Sequence, residues 1–124
     1  MADALGVGLT SIEGVVTGPR GDRVPVEFLI DSGAKYTVLP YEIWTRLGLT
    51  PKRTMRFQTA DGVIIERSIS ECHIALHEGD GHTPVILGEP GDLALLGAVT
   101  LEELGLVLYP FDRSLRRSEL SLLA

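Results

Sequence analysis

Three consecutive residues, Asp31-Ser32-Gly33, hold the ingredients of a carboxylate site. The acid can give or take a proton, and the serine hydroxyl offers a hydrogen bond beside it. The glycine lets the backbone turn tightly and approach a neighbour closely. They end a run in which Val24, Val26, Phe28 and Ile30 stand two residues apart, the period that puts side chains on one face of a β-strand. An acid at the end of a buried strand is costly unless it is hydrogen-bonded, paired or used. Thr37-Val38-Leu39-Pro40 then resumes a β-prone run, so strand, acid turn and strand would set one carboxylate at the floor of a cleft. By itself Asp-Ser-Gly is also ordinary Asx-turn chemistry.

Little else in the chain competes for chemistry. Asp61 falls at a hairpin tip and Asp92 in a loop, and neither follows an apolar strand as Asp31 does. The single cysteine, Cys72, cannot close an intrachain disulfide. His73 and His77 would share a face only on a helix, whereas their segment, with His82, reads as strand and turn, so neither metal nor cofactor is expected.

The elements that must position Asp31 follow from pattern and punctuation. Residues 10–17, interrupted by Gly14, and 23–30 form a β-hairpin across Gly18-Pro19-Arg20-Gly21-Asp22. Pro40 opens a short helix, Tyr41 to Leu47, closed by Gly48, with Ile43, Trp44 and Leu47 toward the core. Met55 and Phe57 alternate with Arg56 and Gln58, and Ala60-Asp61-Gly62 turns the chain into Val63-Ile64-Ile65. That arm runs through Ile69 and Cys72 to Leu76, with a turn at Glu78 to Gly81 and a short strand at Pro84 to Leu87. After a loop at Gly88 to Asp92 comes Leu95-Leu96-Gly97, then a helix over 98–104 with Thr100 and Glu103 as a capping box and Gly105 at its end. Leu106 to Tyr109 is a strand and Pro110 to Ser114 a turn. Many short strands with two helical turns make a mostly β chain.

Phe28-Leu29-Ile30-Asp31-Ser32-Gly33-Ala34, followed by Thr37-Val38-Leu39, resembles the active-site loop of retroviral-type, retropepsin-like aspartic proteases. Leu95-Leu96-Gly97 before a helix resembles that family's second landmark, and Leu101 to Pro110 resembles the tail of its small prokaryotic members. The resemblance covers residues 10–117 and implies a closed β-barrel of the acid-protease type. It implies that Asp31, Ser32 and Gly33 are catalytic, with Ser32 hydrogen-bonding between two loops. Substrate would be bound by Ala34, Lys35, the flap Thr59, Ala60, Asp61, Gly62 and Val63, and by Leu95, Leu96 and Gly97. With one Asp-Ser-Gly per chain, it implies a homodimer cleaving a peptide or protein substrate, Asp31 of each copy meeting on a two-fold axis. The sequence departs from the viral pattern where Lys35 and Tyr36 replace acids that hold substrate backbone, and where the flap lacks a glycine-rich tip. These departures leave open a domain of the same fold that binds peptides or dimerises without cleaving.

At 124 residues, 44% hydrophobic and 23% charged, the composition is that of one globular domain. A net charge of −6 argues against nucleic acid, which needs a basic stripe, and the cluster Arg113 to Arg117 reads as a solvated turn. No apolar run approaches membrane-spanning length and no signal sequence is evident, so a cytoplasmic protein is expected. Residues 1–9 and 118–124 are expected to be loose or dimer-forming, Leu120, Leu122 and Leu123 serving either as an interface strand or as a frayed tail.

Overall fold

The computed structural model describes residues 9–31, 33–109 and 114–118. Nine strands and two short helices make it mostly β among those residues. Strands β1 (Leu9–Thr17), β2 (Arg23–Asp31) and β3 (Thr37–Leu39) precede helix α1 (Tyr41–Arg46). Then follow β4 (Arg53–Gln58), β5 (Ile64–Leu76), β6 (Gly79–Leu87) and β7 (Leu95–Leu96). Helix α2 (Ala98–Glu103) leads into the hairpin β8 (Leu106–Tyr109) and β9 (Ser114–Arg117).

The seven-stranded sheet runs β1-β2-β7-β3-β6-β5-β4, and β1 also pairs with β5, so the sheet closes on itself as a ring. The long β5 makes this possible. Its C-terminal half pairs with both β1 and β6, while its N-terminal half holds β4 as a hairpin arm that no other strand of the sheet covers.

The period-two reading of β2 is borne out, with Val24, Val26, Phe28 and Ile30 all buried and at most 5% exposed. They meet Val16, Leu39, Ile74, Val85 and Leu96 inside the ring. Pro25 is tolerated for a geometric reason. The Leu29 amide points to the β7 side, bonding the Ala94 carbonyl at 2.9 Å. Position 25 has the same orientation, but β7 reaches only Leu29 and Ile30, so the missing N–H costs no ladder bond.

Helix α1 spans nearly the expected residues, with Leu47 buried and Ile43 and Trp44 half-buried against the core. Gly48 and Gly105 terminate the helices at φ 73° and 72°, a conformation that favours glycine. Four expectations need correction. Gly14 does not interrupt β1; its lack of a side chain makes room for Leu76, whose Cδ2 would lie 2.8 Å from a Cβ there. The turn expected at Glu78 to Gly81 is tighter, His77-Glu78, and β6 begins at Gly79. Thr100 is not a cap, since the N-cap of α2 is Gly97, which has no side chain to cap with. Ser114 to Arg117 is a strand paired with β8 rather than a turn, with Leu115 buried and Arg116 stacked 3.9 Å from the Tyr109 ring. The expected turn residues 110–113 and the tail leucines lie outside the described residues. No helix among the described residues is long and apolar enough to cross a membrane.

Candidate active site

Asp31 is the last residue of β2, where the strand leaves the ring and the chain turns back. Its Oδ1 accepts the Gly33 amide at 3.0 Å and its carbonyl accepts the Ala34 amide at 2.9 Å, the local bonds expected of an Asx-type turn. One carboxylate oxygen is thus oriented by the backbone while Oδ2 is left for other work.

The loop after Asp31 is clamped from behind. The first two amides of α2 would ordinarily lack partners. Here the Ala98 amide donates to the Ala34 carbonyl at 3.0 Å and the Val99 amide to the Lys35 carbonyl at 2.9 Å. Gly97 makes this close approach possible. A Cβ on it would stand 2.3 Å from the Tyr36 carbonyl carbon and 2.6 Å from the Lys35 oxygen. Beside this contact β7 pairs parallel with Leu29 and Ile30 and antiparallel with Val38, gripping both strands that flank the acid turn.

Beneath the clamp lies a chain of buried hydroxyls. The Gly97 amide donates to Thr37 Oγ1 at 3.0 Å, Thr37 and Thr100 Oγ1 are 2.6 Å apart, and Thr100 and Thr83 Oγ1 are 2.8 Å apart. Thr83 Oγ1 donates onward to the Pro84 carbonyl at 3.2 Å. All three side chains are 2% exposed or less. The order in which Thr37 donates to Thr100, Thr100 to Thr83 and Thr83 to the Pro84 carbonyl satisfies all three hydroxyls. Each hydroxyl then gives one bond and takes one.

An open cleft of about 780 Å³ lies over Asp31. Asp31, Gly33, Ala34, Lys35 and Tyr36 form one wall, β4 with Thr59 forms the other, and Val38, Ile86 and Leu95 line it further. The walls touch where the Tyr36 ring meets Phe57 nearly edge-on, centroids 5.8 Å apart. Among the described residues Asp31 is the one acid lining this cleft. A second apolar groove of about 350 Å³ reaches Asp31 from the side of α2 and β8.

Of the residues singled out in the sequence, Asp31, Gly33, Ala34, Lys35, Thr59 and Leu95 line the cleft. Leu96 is buried in the core, and Gly97 is buried under the Lys35–Tyr36 backbone. Ala60, Asp61, Gly62 and Val63 form an exposed turn that does not line the cleft. The turn is tied internally, the Thr59 amide donating to the Val63 carbonyl at 2.8 Å. The Thr59 hydroxyl donates to the Asp61 carboxylate, and this bond above all holds the Asp61 pKa below its ordinary value. Ser32 lies outside the described residues. The hairpin Arg56 to Ile65 was expected over the Asp31 cleft, and its first arm, Arg56, Phe57 and Gln58, lines it; Val38, Met55 and Ile86 line it without having been expected there.

Two other reactive side chains stand apart from the cleft. Cys72 is buried on the inner face of β5, and burial pushes its thiol up to about 12. His73 pairs with Asp80 at 2.7 Å and faces His82 across the β5–β6 ladder.

A family model described as aspartyl protease matches residues 12–99. No curated protein matches the sequence. Among solved structures, the chain is similar to the solution structure of simian foamy virus (mac) protease at 19% identity and a TM-score of 0.54, a likeness of fold. The alignment covers 75% of this chain and 92% of that one. It also aligns with the crystal structure of a retropepsin-like aspartic protease from Rickettsia conorii, at 26% identity and a TM-score of 0.46, over 82% of this chain and 85% of that one.

Proposed function

The chain belongs to the aspartyl protease family, with a retropepsin-like fold, and we propose that it is an aspartic endopeptidase whose catalytic pair is made between two copies. One observation carries the reading: among the described residues Asp31 is the sole acid lining the cleft. A lone carboxylate can accept a proton from water but leaves the carbonyl without a proton donor. Two Asp31 carboxylates facing each other across a two-fold axis supply both, because at close range they retain one proton between them.

In the proposed reaction the ionised partner takes a proton from water as its oxygen attacks the scissile carbonyl carbon. The protonated partner gives its proton to the carbonyl oxygen, forming a gem-diol. The proton held by the first carboxyl then passes to the amide nitrogen. The C–N bond breaks as the second carboxylate takes back a proton from one gem-diol hydroxyl, releasing an acid and an amine and restoring the pair with its single proton. The loop geometry serves this by fixing one oxygen of Asp31 through the Gly33 amide. Gly33, and Ser32 beside it, are proposed to bring the two loops together at the axis. A peptide in the cleft would lie between the Ala34–Tyr36 backbone and β4.

One observation favours the second reading, a peptide-binding or dimerising domain that does not cleave: the exposed turn Ala60–Val63 does not line the cleft. Cleavage of an unstructured protein substrate by wild type and Asp31→Asn across a pH series, with sedimentation in parallel, separates the two. The proteolytic reading expects cleavage best on the acid side of neutrality, lost in Asp31→Asn while dimerisation persists. Equal activity in the two proteins would place the chemistry elsewhere, and a strict monomer would leave Asp31 without its partner.

A further inference from the structure

We propose that Lys35 sets the substrate class of the Asp31 cleft: an extended peptide whose apolar scissile pair is flanked on each side by an acidic side chain. The inference rests on the proteolytic reading and adds to it the chemistry of what is cut. The chain carries a net charge of −6, yet among the described residues the charged groups lining this cleft are one acid, Asp31, and two bases, Lys35 and Arg56. Among the described residues the carboxylate pairings within 4 Å engage Arg20, Arg67 and His73, and neither of the cleft bases. Arg56 is partly offset by Glu66, which stands opposite it in the β4–β5 ladder. Lys35 has no such neighbour. It is the uncompensated cation of the cleft.

Its position is fixed where a specificity determinant needs it fixed. The Lys35 carbonyl takes the Val99 amide and abuts Gly97, so the main chain is held from behind while the side chain is exposed. The ammonium lies 5.9 Å from the Tyr36 ring centroid, at the rim of the wall that Tyr36 and Phe57 close. Val38, Phe57, Ile86 and Leu95 line the same cleft, and their apolar surface suits apolar side chains at the scissile bond. A two-fold assembly brings a second Lys35 to the other end of the cleft, so the charge is read on both sides of the bond. An exposed ion pair is worth a fraction of a kcal/mol to about 1 kcal/mol, hence roughly three-fold per acid and roughly ten-fold for two.

The test uses three peptides with the same apolar scissile pair, flanked on both sides by Glu, by Gln or by Lys. Wild type and Lys35→Glu are compared by kcat/KM at low and high salt, and binding of the same peptides to Asp31→Asn is followed by fluorescence anisotropy. The expected order for wild type is Glu over Gln over Lys, compressed at high salt and reversed in Lys35→Glu. Cleavage of all three peptides at equal rates, or an order unchanged in Lys35→Glu, overturns the assignment and leaves the proteolytic reading standing. Binding in the expected order without cleavage by wild type upholds Lys35 and removes the protease. Neither binding nor cleavage of any peptide sinks both.

Discussion

Replacing Thr100 with valine keeps the shape of a buried side chain and deletes the central hydroxyl of the Thr37–Thr100–Thr83 chain. The proton order decides what is lost. Thr83 keeps its bond to the Pro84 carbonyl and forgoes only an incoming one. Thr37 keeps the incoming Gly97 amide but its own proton points at a methyl group, in a site with 0% exposure. A buried donor left without a partner costs about 1–3 kcal/mol, and with the second lost bond the total is about 2–3 kcal/mol. At a urea dependence of roughly 1.5 kcal/mol per molar, the unfolding midpoint of Thr100→Val should fall by roughly 1–2 M with unchanged slope. Thr37→Val orphans the Gly97 amide instead, and the double variant orphans that same amide and nothing more. Thr100→Val should therefore cost little once Thr37 is already valine. Additive losses within about 0.5 kcal/mol would show that the hydroxyls act independently and would refute the ordered chain.

Gly97→Ala should disturb the site more than the fold: its Cβ would overlap the Lys35–Tyr36 backbone, costing about 1–3 kcal/mol and moving the loop that carries Asp31. Amide NMR shifts should change at residues 34–36, and cleavage should fall on the order of 10²-fold, the penalty of a mispositioned group; near wild-type activity would count against the clamp. Cys72 predicts an alkaline weakness. Its folded value of about 12 lies above the ordinary 9, so the folded state keeps a proton that the unfolded state sheds. The stabilisation this gives is present below pH 9 and is lost as pH rises toward 12, at about 1.4 kcal/mol per pH unit. Urea unfolding between those limits should show a steeper decline in wild type than in Cys72→Ala, and parallel declines would mean that the thiol is solvated.

What could be read from the sequence was whatever a short window determines. The alternation of Val24 to Ile30, the hairpin across Gly18 to Asp22, and the glycine ends of both helices depend on neighbours a few residues away, and the structure bears them out. Gly79, Asp80 and Gly81 look like a turn by composition, but they lie in a strand because distant residues need them there. Gly79 lies where a Cβ would come within 3.2 Å of the Leu104 carbonyl, and Asp80 takes the His73 ring across the ladder. Thr100 read as a cap through its spacing to Glu103; two threonines far off in sequence give its hydroxyl a different use. In the same way the strand-end carboxylate was legible, whereas Tyr36 meeting Phe57 to close the cleft was not, because no local signal brings a loop residue to a flap strand.

The two-residue strand β7 has a consequence for the time at which the site exists. Thr37 and Gly97 lie 60 positions apart, and the bonds to Ala34 and Lys35 come from α2, the helix that follows. The hairpin bearing Asp31 is synthesised before α2, so its loop has only its own turn bonds until α2 has left the exit tunnel. Long-range closures of this kind are also slow, because the chain loses much entropy before they are rewarded. A half-made chain therefore carries the carboxylate without its brace from α2.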